Sequence, residues 1–442
     1  MVFRKPRDAG QAQRLVPGRA EAPGRWRAVS QPAVFAGLAA AVASVLPVYL
    51  VGAMAVQLRA DLDISASRIG AAALWYFLAA AVSSLWAGRM VEAVGARRAL
   101  MMAGVTGAVA MTGVAMSADR WSVALGFLAL AGLANSVAQP ASNLLLARAL
   151  PPEHRGLGFG IKQSAIPSAT LLGGLFVPLF ALTVGWRWGF VFGAVLSLCV
   201  VLLVYRYVGE AAAAPRSGPR IRSDVAMRPL LTMGVAAGLG SAAALALGTF
   251  YVDATVAAGF SPTAAALLFA AGSAVGILSR IVLGLLADLR PSRHLLRVSL
   301  MFAASGAGFL LLVLDGPVAV LAGTVLVFGA GFGWQGLFVH SLVRQSPQTP
   351  AFTTGTAQIM VSMGSALGPP VVGAIIDASS YSVGWLVVAG AAFLATLTLL
   401  IGRRMALADR AAAGIATGAT MTPPVSSASS CPSPYTEGRD AQ

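Results

Sequence analysis

Charge is what this sequence most lacks: Asp, Glu, Lys and Arg make up 11% of its 442 residues, where a soluble domain carries about a quarter. A chain of this length with so few charges cannot cover a soluble surface, which excludes an ordinary water-soluble globule. Cysteine is almost absent, with two residues. Cys199 lies in an apolar run and Cys431 in a polar tail, settings too unlike to pair, so no disulfide or metal framework is expected. The three histidines are scattered, and no cluster of His, Cys or carboxylate stands at ligand or catalytic spacing, which argues against an enzyme, a metal or a cofactor. A phosphate loop is missing as well. The nearest match, Gly156-Leu-Gly-Phe-Gly160-Ile-Lys162-Gln163-Ser164, has no Gly before the lysine and no Ser or Thr directly after it, and it runs into an apolar segment, which excludes an ATP-driven pump.

What the chain has in quantity is apolar sequence, 57% of all residues. Apolar runs of spanning length fall near 33–57, 66–88, 98–117, 121–147, 157–183, 186–207, 229–253, 262–286, 294–314, 317–343, 354–376 and 383–402. In lipid such a run can satisfy its backbone only within itself, so each is expected to be a helix, and the fold class is an all-α integral membrane protein of twelve transmembrane helices. Residues 1–30 carry Arg4, Lys5, Arg7, Arg14, Arg19, Arg25 and Arg27 among Gly and Pro; this basic stretch is too long for a secretory signal and reads as a disordered tail.

The net charge of +15 does not point to nucleic acid, because the basic residues lie in the tails and in the short gaps between runs rather than along one stripe. Those gaps alternate. Of the 31 Lys and Arg residues, all but Arg59, Arg68, Arg120 and Arg187 fall on the side of the two termini, which predicts that both termini are cytoplasmic. The connection 208–228 is the longest and lies in the middle. It reads as a flexible linker between a bundle at 31–207 and another at 229–404, with 405–442 a second disordered tail.

The two bundles repeat each other. A shift of 196 places Ser65 on Ser261, Gly88 on Gly284, Glu92 on Asp288, Arg97 on Arg293, Gln139 on Gln335 and Arg148 on Arg344. A shift of 195 places Gln163 on Gln358, and one of 199 places Gly185-Trp186 on Gly384-Trp385. Two similarly oriented six-helix halves follow. Within each half the run after the second span stands out, Gly88-Arg-Met-Val-Glu92-Ala-Val-Gly95-Ala-Arg97-Arg98 and Gly284-Leu-Leu-Ala-Asp288-Leu-Arg290-Pro-Ser-Arg293. Gly88 and Gly284 are expected to let helices approach closely. The carboxylate is expected to face the positive end of a neighbouring helix and nearby arginines.

These two runs resemble the signature loop of the major facilitator superfamily, and the resemblance covers about residues 31–404. The first copy carries Glu92 where Asp is usual, and the second lacks the later Gly. The resemblance implies two pseudo-symmetric six-helix bundles and a secondary carrier in a cell membrane. Such a carrier moves a small solute by alternating access, without ATP, and works as a monomer in the lipid bilayer. It also implies that Gly88, Glu92, Arg97, Arg98, Gly284, Asp288, Arg290 and Arg293, with Arg148 and Arg344, form a gating latch on the cytoplasmic side.

Polar groups inside a membrane are costly, so their positions mark the path of the solute. Six amides lie within spans: Asn135, Gln139 and Asn143 in the fourth, Gln163 in the fifth, Gln335 in the tenth and Gln358 in the eleventh. The first three are spaced by four and share one helical face, which is expected to line a cavity; the competing reading makes such amides glue between helices. Two cations penetrate beyond what loops require. Arg280 lies eight residues before Asp288, ~12 Å deeper at ~1.5 Å per residue, and Lys162 is the one lysine past the N-terminal tail. Both are candidate partners of an anionic substrate; Lys162 is also placed to snorkel to the surface. An arginine in the eighth span resembles the anion-binding arginine of carboxylate and nitrate carriers in the same superfamily. Asp253 at the end of the seventh span and His340 one turn before Arg344 are the candidates for proton coupling. The favoured expectation is a proton-coupled carrier of a small organic or inorganic anion. An exporter of drugs or secondary metabolites, and a transport-inactive sensor, are the alternatives. Pro140, Pro167, Pro178, Pro369 and Pro370, with Gly173, Gly174, Gly364, Gly368 and Gly373, are expected to kink and thin the fourth, fifth and eleventh helices.

Overall fold

The structure is a computed structural model and describes residues 32–117, 120–150, 161–209, 226–289, 294–314, 316–345 and 350–419. The described residues are helical apart from short links, and twelve helices are long and apolar enough to cross a membrane. They are α1 Pro32–Ala53, α2 Ala66–Val94, α3 Ala96–Met116, α4 Trp121–Ala149, α5 Ala165–Phe176, α6 Trp186–Tyr207, α7 Met227–Ala257, α8 Pro262–Leu289, α9 His294–Val313, α10 Pro317–Gln345, α11 Pro350–Ala378 and α12 Tyr381–Ala419. All twelve expected spans are present. A helix Ala55–Leu62 continues α1 past Met54 and ends at Asp63, whose φ of 48° breaks it.

Three local departures have physical causes. First, α2 runs to Val94, so Glu92 belongs to its last turn rather than to a loop, and α2 joins α3 through Gly95 alone. With φ of 83°, that position favours glycine strongly. Second, α5 ends in a π-helical segment, Val177–Ala181, where Pro178 has no N–H to donate and its ring crowds the preceding turn, so the helix widens. Third, α12 continues to Ala419, past the boundary expected at residue 404. Its extension is rich in Ala, a strong helix former. Residues 1–31 and 420–442, and most of the 208–228 linker, lie outside the described residues.

The repeat is visible in the caps. Ser65 Oγ accepts the Arg68 N–H at 3.4 Å before α2, and Ser261 Oγ accepts the Ala264 N–H at 3.2 Å before α8. Trp186 and Trp385, paired by the repeat, are both buried, against Phe190 and Phe309 respectively.

Because lipid tails are as apolar as leucine, helices here are held by close packing rather than by exclusion from water, and small residues decide where they meet. Within the second half, a Cβ added at Gly364 would lie 1.9 Å from the Gly238 carbonyl oxygen, so α7 and α11 touch backbone to backbone. Between the halves the same device recurs in three helix pairs. Gly52 of α1 meets Gly248 and Thr249 of α7, Gly70 of α2 meets Pro369 of α11, and Gly174 of α5 meets Ala266 and Ala270 of α8. These contacts lie toward the end of the bundle opposite the termini, hereafter the loop end.

The expectation that Gly88 and Gly284 mark close helix approaches is not met among the described residues, where a Cβ at either would meet nothing within 4 Å. The close approach of α2 to the other half is at Gly70, eighteen residues from Gly88 and ~27 Å along the helix. There α11 presses against it, and the other end of α2 is not under that constraint.

Candidate functional site

Midway along the bundle, polar side chains of the two halves form two separate groups. In the first half, Lys162, just ahead of α5, is 5% exposed, and its Nζ donates to Gln139 Oε1 at 2.6 Å. That bond fixes the amide, because the oxygen must face the ammonium and the NH₂ must look the other way. Gln139 Nε2 then donates to Asn135 Oδ1 at 3.1 Å and to Ser44 Oγ at 3.3 Å, while Ser44 Oγ donates to Asn135 Oδ1 at 3.0 Å. Tyr76 OH donates to the Ser44 carbonyl at 2.6 Å and closes the group from α2. The amide stripe on α4 therefore serves as a hydrogen-bond relay ending on a cation.

In the second half, Arg280 of α8 is 4% exposed. Its Nε donates to the Phe332 carbonyl and its Nη2 to Gln335 Oε1 at 3.2 Å, both on α10. Its buried Nη1 has no hydrogen-bond partner among the described residues. Tyr49 of α1 lies within electrostatic range of Arg280 across the halves. Neither Lys162 nor Arg280 has a carboxylate partner among the described residues. A buried cation without a counter-charge is among the costliest arrangements in a membrane interior.

The remaining amides stay outside these groups. Asn143 and Gln358 are exposed and Gln163 is half-buried, and among the described residues none of the three has a side-chain hydrogen bond. Asn143 shares the α4 stripe with Gln139 and lies one turn beyond the relay. His340 lies against the buried His294, ring centres 5.3 Å apart and perpendicular, toward the terminal end of α10.

At the loop end the halves are joined by charge. Arg59, from the helix that continues α1, pairs with Asp253 Oδ2 of α7, and Tyr381 OH of α12 donates to the same oxygen. Partial burial works against the Arg59 charge, but the Asp253 carboxylate outweighs it and holds the guanidinium above its ordinary pKa. Asp377, at the end of α11, accepts the backbone N–H groups of Ala66 and Ser67 at 2.8 Å each. It is a carboxylate from one half on the positive end of a helix from the other. The span of α11 extends to Ala378 and takes in Asp377, so Asp253 is not the one carboxylate at membrane depth outside the signature runs. Thr170 of α5 and Ser273 of α8 share a hydrogen bond of 2.7 Å across the halves.

The signature run is described only in part. Arg97 donates to the Tyr205 carbonyl at 2.8 Å and stacks on its ring at 4.9 Å, bracing the last turn of α6. Glu92 is half-buried and makes no ion pair among the described residues, and Arg98 is exposed. Arg148 and Arg344 lie at matching places in the last turns of α4 and α10, where a cation complements the helix dipole. The side chain of Asp288, and Arg290 and Arg293, lie outside the described residues.

Attention to amides alone passed over the hydroxyls: Ser44, Tyr49, Tyr76, Thr170 and Ser273 all take part. A serine or tyrosine within an apolar helix is the signal that marks them. Arg59, Tyr381 and Asp377 lie at span ends, where sequence does not separate a latch from an ordinary interfacial charge. Among the described residues no three His, Cys, Asp or Glu are grouped to hold a metal.

Residues 34–350 match the family profile described as Major Facilitator Superfamily. Two uncharacterized MFS-type transporters, from two strains of Mycobacterium tuberculosis, are each 26% identical over 313 residues, 67% of this chain and 66% of the relative. The chain thus aligns with just under two thirds of their length. The crystal structure of the human organic anion transporter MFSD10 superimposes on 86% of this chain and 100% of its own, with a TM-score of 0.62 at 16% identity. That likeness concerns the fold.

Proposed function

The chain belongs to the Major Facilitator Superfamily, and from that premise we propose that it is a secondary active carrier that moves a small anion across a cell membrane by alternating access, coupled to protons. One observation carries the choice of an anion: Arg280 is a buried guanidinium with one nitrogen unbonded and no carboxylate partner among the described residues. An anion arriving from water supplies the missing counter-charge and hydrogen-bond acceptor together. Lys162 supports the reading in the same way. A hydrophobic cation, the expected cargo of a drug exporter, would meet like charge at both positions.

Alternating access requires that the loop-end contacts form and break. The Arg59–Asp253–Tyr381 cluster and the Asp377 cap on α2 fit a gate that holds the halves together there. Protonation of Asp253 removes the charge that Arg59 pairs with, which gives a proton a route to loosen this gate. The bias of Lys and Arg toward the terminal side supports an orientation with both termini cytoplasmic, and nothing in this mechanism requires more than one copy of the chain.

The test is flux into liposomes under an imposed proton gradient, with a panel of labelled carboxylates, inorganic anions and hydrophobic cations, for wild type and Arg280→Ala. Anion flux that is lost in the variant is the expected result. Flux of cationic or neutral compounds alone, equal in the variant, overturns the anion reading.

A further inference from the structure

The two buried cations are not repeat mates. In the register that places Gln163 on Gln358, Lys162 falls on Ala357, and shifting Arg280 back by 196 leads to Ser84; neither position carries a charge. Yet the two cations occupy one level of the molecule. Helices α5 and α8 are antiparallel and meet across the halves where Thr170 bonds Ser273. Lower on the same contact, a Cβ at Gly276 would sit 3.4 Å from Pro167. Lys162 is eight residues from Thr170, and Arg280 is seven residues from Ser273, both toward the terminal end. At ~1.5 Å per residue that places them ~12 and ~10 Å beyond the shared hydrogen bond, at nearly equal depth on facing helices. The pseudo-symmetry that pairs α5–α8 with α2–α11 is therefore broken in charge. The two cations stand at one depth on helices that meet along one seam, and the equivalent positions on the other pair of helices carry none.

Each cation is also drawn back into its own half by an equivalent glutamine, Lys162 by Gln139 and Arg280 by Gln335. A glutamine oxygen accepts a hydrogen bond without cancelling the charge, so the empty site keeps two positive charges, one on each half. A monoanion leaves one of them uncompensated. A single-centre dianion must draw both cations off their glutamines toward one point. A linear dicarboxylate meets each cation where it stands, with its carbon chain against the apolar wall between. Resting on the anion-carrier reading, we infer that the substrate is an organic dicarboxylate bound across the α5–α8 seam, one carboxylate on Lys162 and the other on Arg280.

The experiment measures binding to the purified full-length protein, by ligand-dependent thermal shift and by counterflow in proteoliposomes. The probes are malonate, succinate and glutarate, with butyrate as the matched monocarboxylate and sulfate as the single-centre dianion. The expected result is that wild type binds at least one dicarboxylate about tenfold or more tightly than butyrate or sulfate, since the second charged contact is gained only by the dicarboxylate. Lys162→Gln removes that preference, whereas Lys162→Arg retains it. Equal affinity for succinate and butyrate in wild type overturns the two-point site and leaves the anion carrier standing, as does sulfate binding as tightly as any dicarboxylate. A preference that survives in Lys162→Gln overturns the role of Lys162. Failure of every anion to bind overturns the anion-carrier reading and this one together. The wild-type comparison of ligands does not depend on whether a variant folds.

Discussion

Gln139 on α4 and Gln335 on α10, one repeat length apart, make the same bond in the two halves: the side-chain oxygen of each accepts a hydrogen bond from a buried cation, Lys162 at 2.6 Å and Arg280 at 3.2 Å. The partners come from unlike helices, so the shared element is the acceptor and not the charge. A neutral acceptor holds a cation in place without cancelling it, which is what an anion site needs while empty.

Gln335→Glu is therefore expected to supply an internal counter-charge to Arg280. Anion affinity should fall about tenfold or more while the melting temperature holds or rises. Gln335→Leu should do the opposite to stability, lowering it by ~1–3 kcal/mol because a charged donor loses its acceptor. Thermal melts of both variants with and without anion separate the two effects.

Asp253→Asn removes the counter-charge of Arg59 at the loop end. The side chains are 31% and 11% exposed, so the pair is worth about 1 kcal/mol after solvent screening, and its loss should shift the ratio of loop-end-open to loop-end-closed molecules about fivefold toward open. Distances between spin labels placed on the two halves at that end report the shift. An unchanged distance distribution would show that the contact holds nothing.

Two glycine substitutions should behave differently although both introduce one methyl group. Gly364→Ala drives its Cβ against the Gly238 carbonyl at 1.9 Å inside the second half, so the expected outcome is poor folding and a depressed melting temperature. A Cβ at Gly373 would lie 2.7 Å from the Ala66 carbonyl across the halves. Gly373→Ala is expected to fold, bind anion and fail to close the loop end, so that flux is lost while binding remains.

Thr170 and Ser273 have one hydroxyl proton each and a carbonyl of their own helix within reach, Pro167 and Phe269 respectively, so the one that donates across the halves gives up its bond to its own helix. Thr170→Val combined with Ser273→Ala is expected to cost less than the sum of the two single changes. The double-mutant coupling should be about 1 kcal/mol, read from melting of the four proteins.

Much of this was legible before any coordinates. The twelve spans follow from hydropathy because a helix in lipid satisfies its own backbone, a local requirement that a local pattern expresses. The two-half organisation follows from residues such as Ser65 and Ser261, which recur at one spacing because each caps the same helix in its own half. Arg280 and Lys162 could be singled out because a charge in an apolar run is visible wherever it occurs. The reach of α2 over Glu92 was not legible, because a carboxylate and two arginines read as a loop until the φ of Gly95 shows that the turn needs one residue.

Sequence by itself determined the class of protein, the number of helices, the repeat and the identity of the buried charges, since each rests on properties of one segment at a time. Tertiary structure alone decided which polar groups meet. It joined Lys162 to Gln139, and Gln139 to Asn135 and Ser44, and left Asn143, on the same stripe, outside. It took Asp253 from a lone carboxylate to the partner of Arg59 and Tyr381. It set Gly70 and Gly373, not Gly88 and Gly284, where helices touch. The physical reason is the same in each case: a hydrogen bond or a backbone contact between helices depends on the crossing of two distant segments, and that crossing is fixed by the packing of the whole bundle.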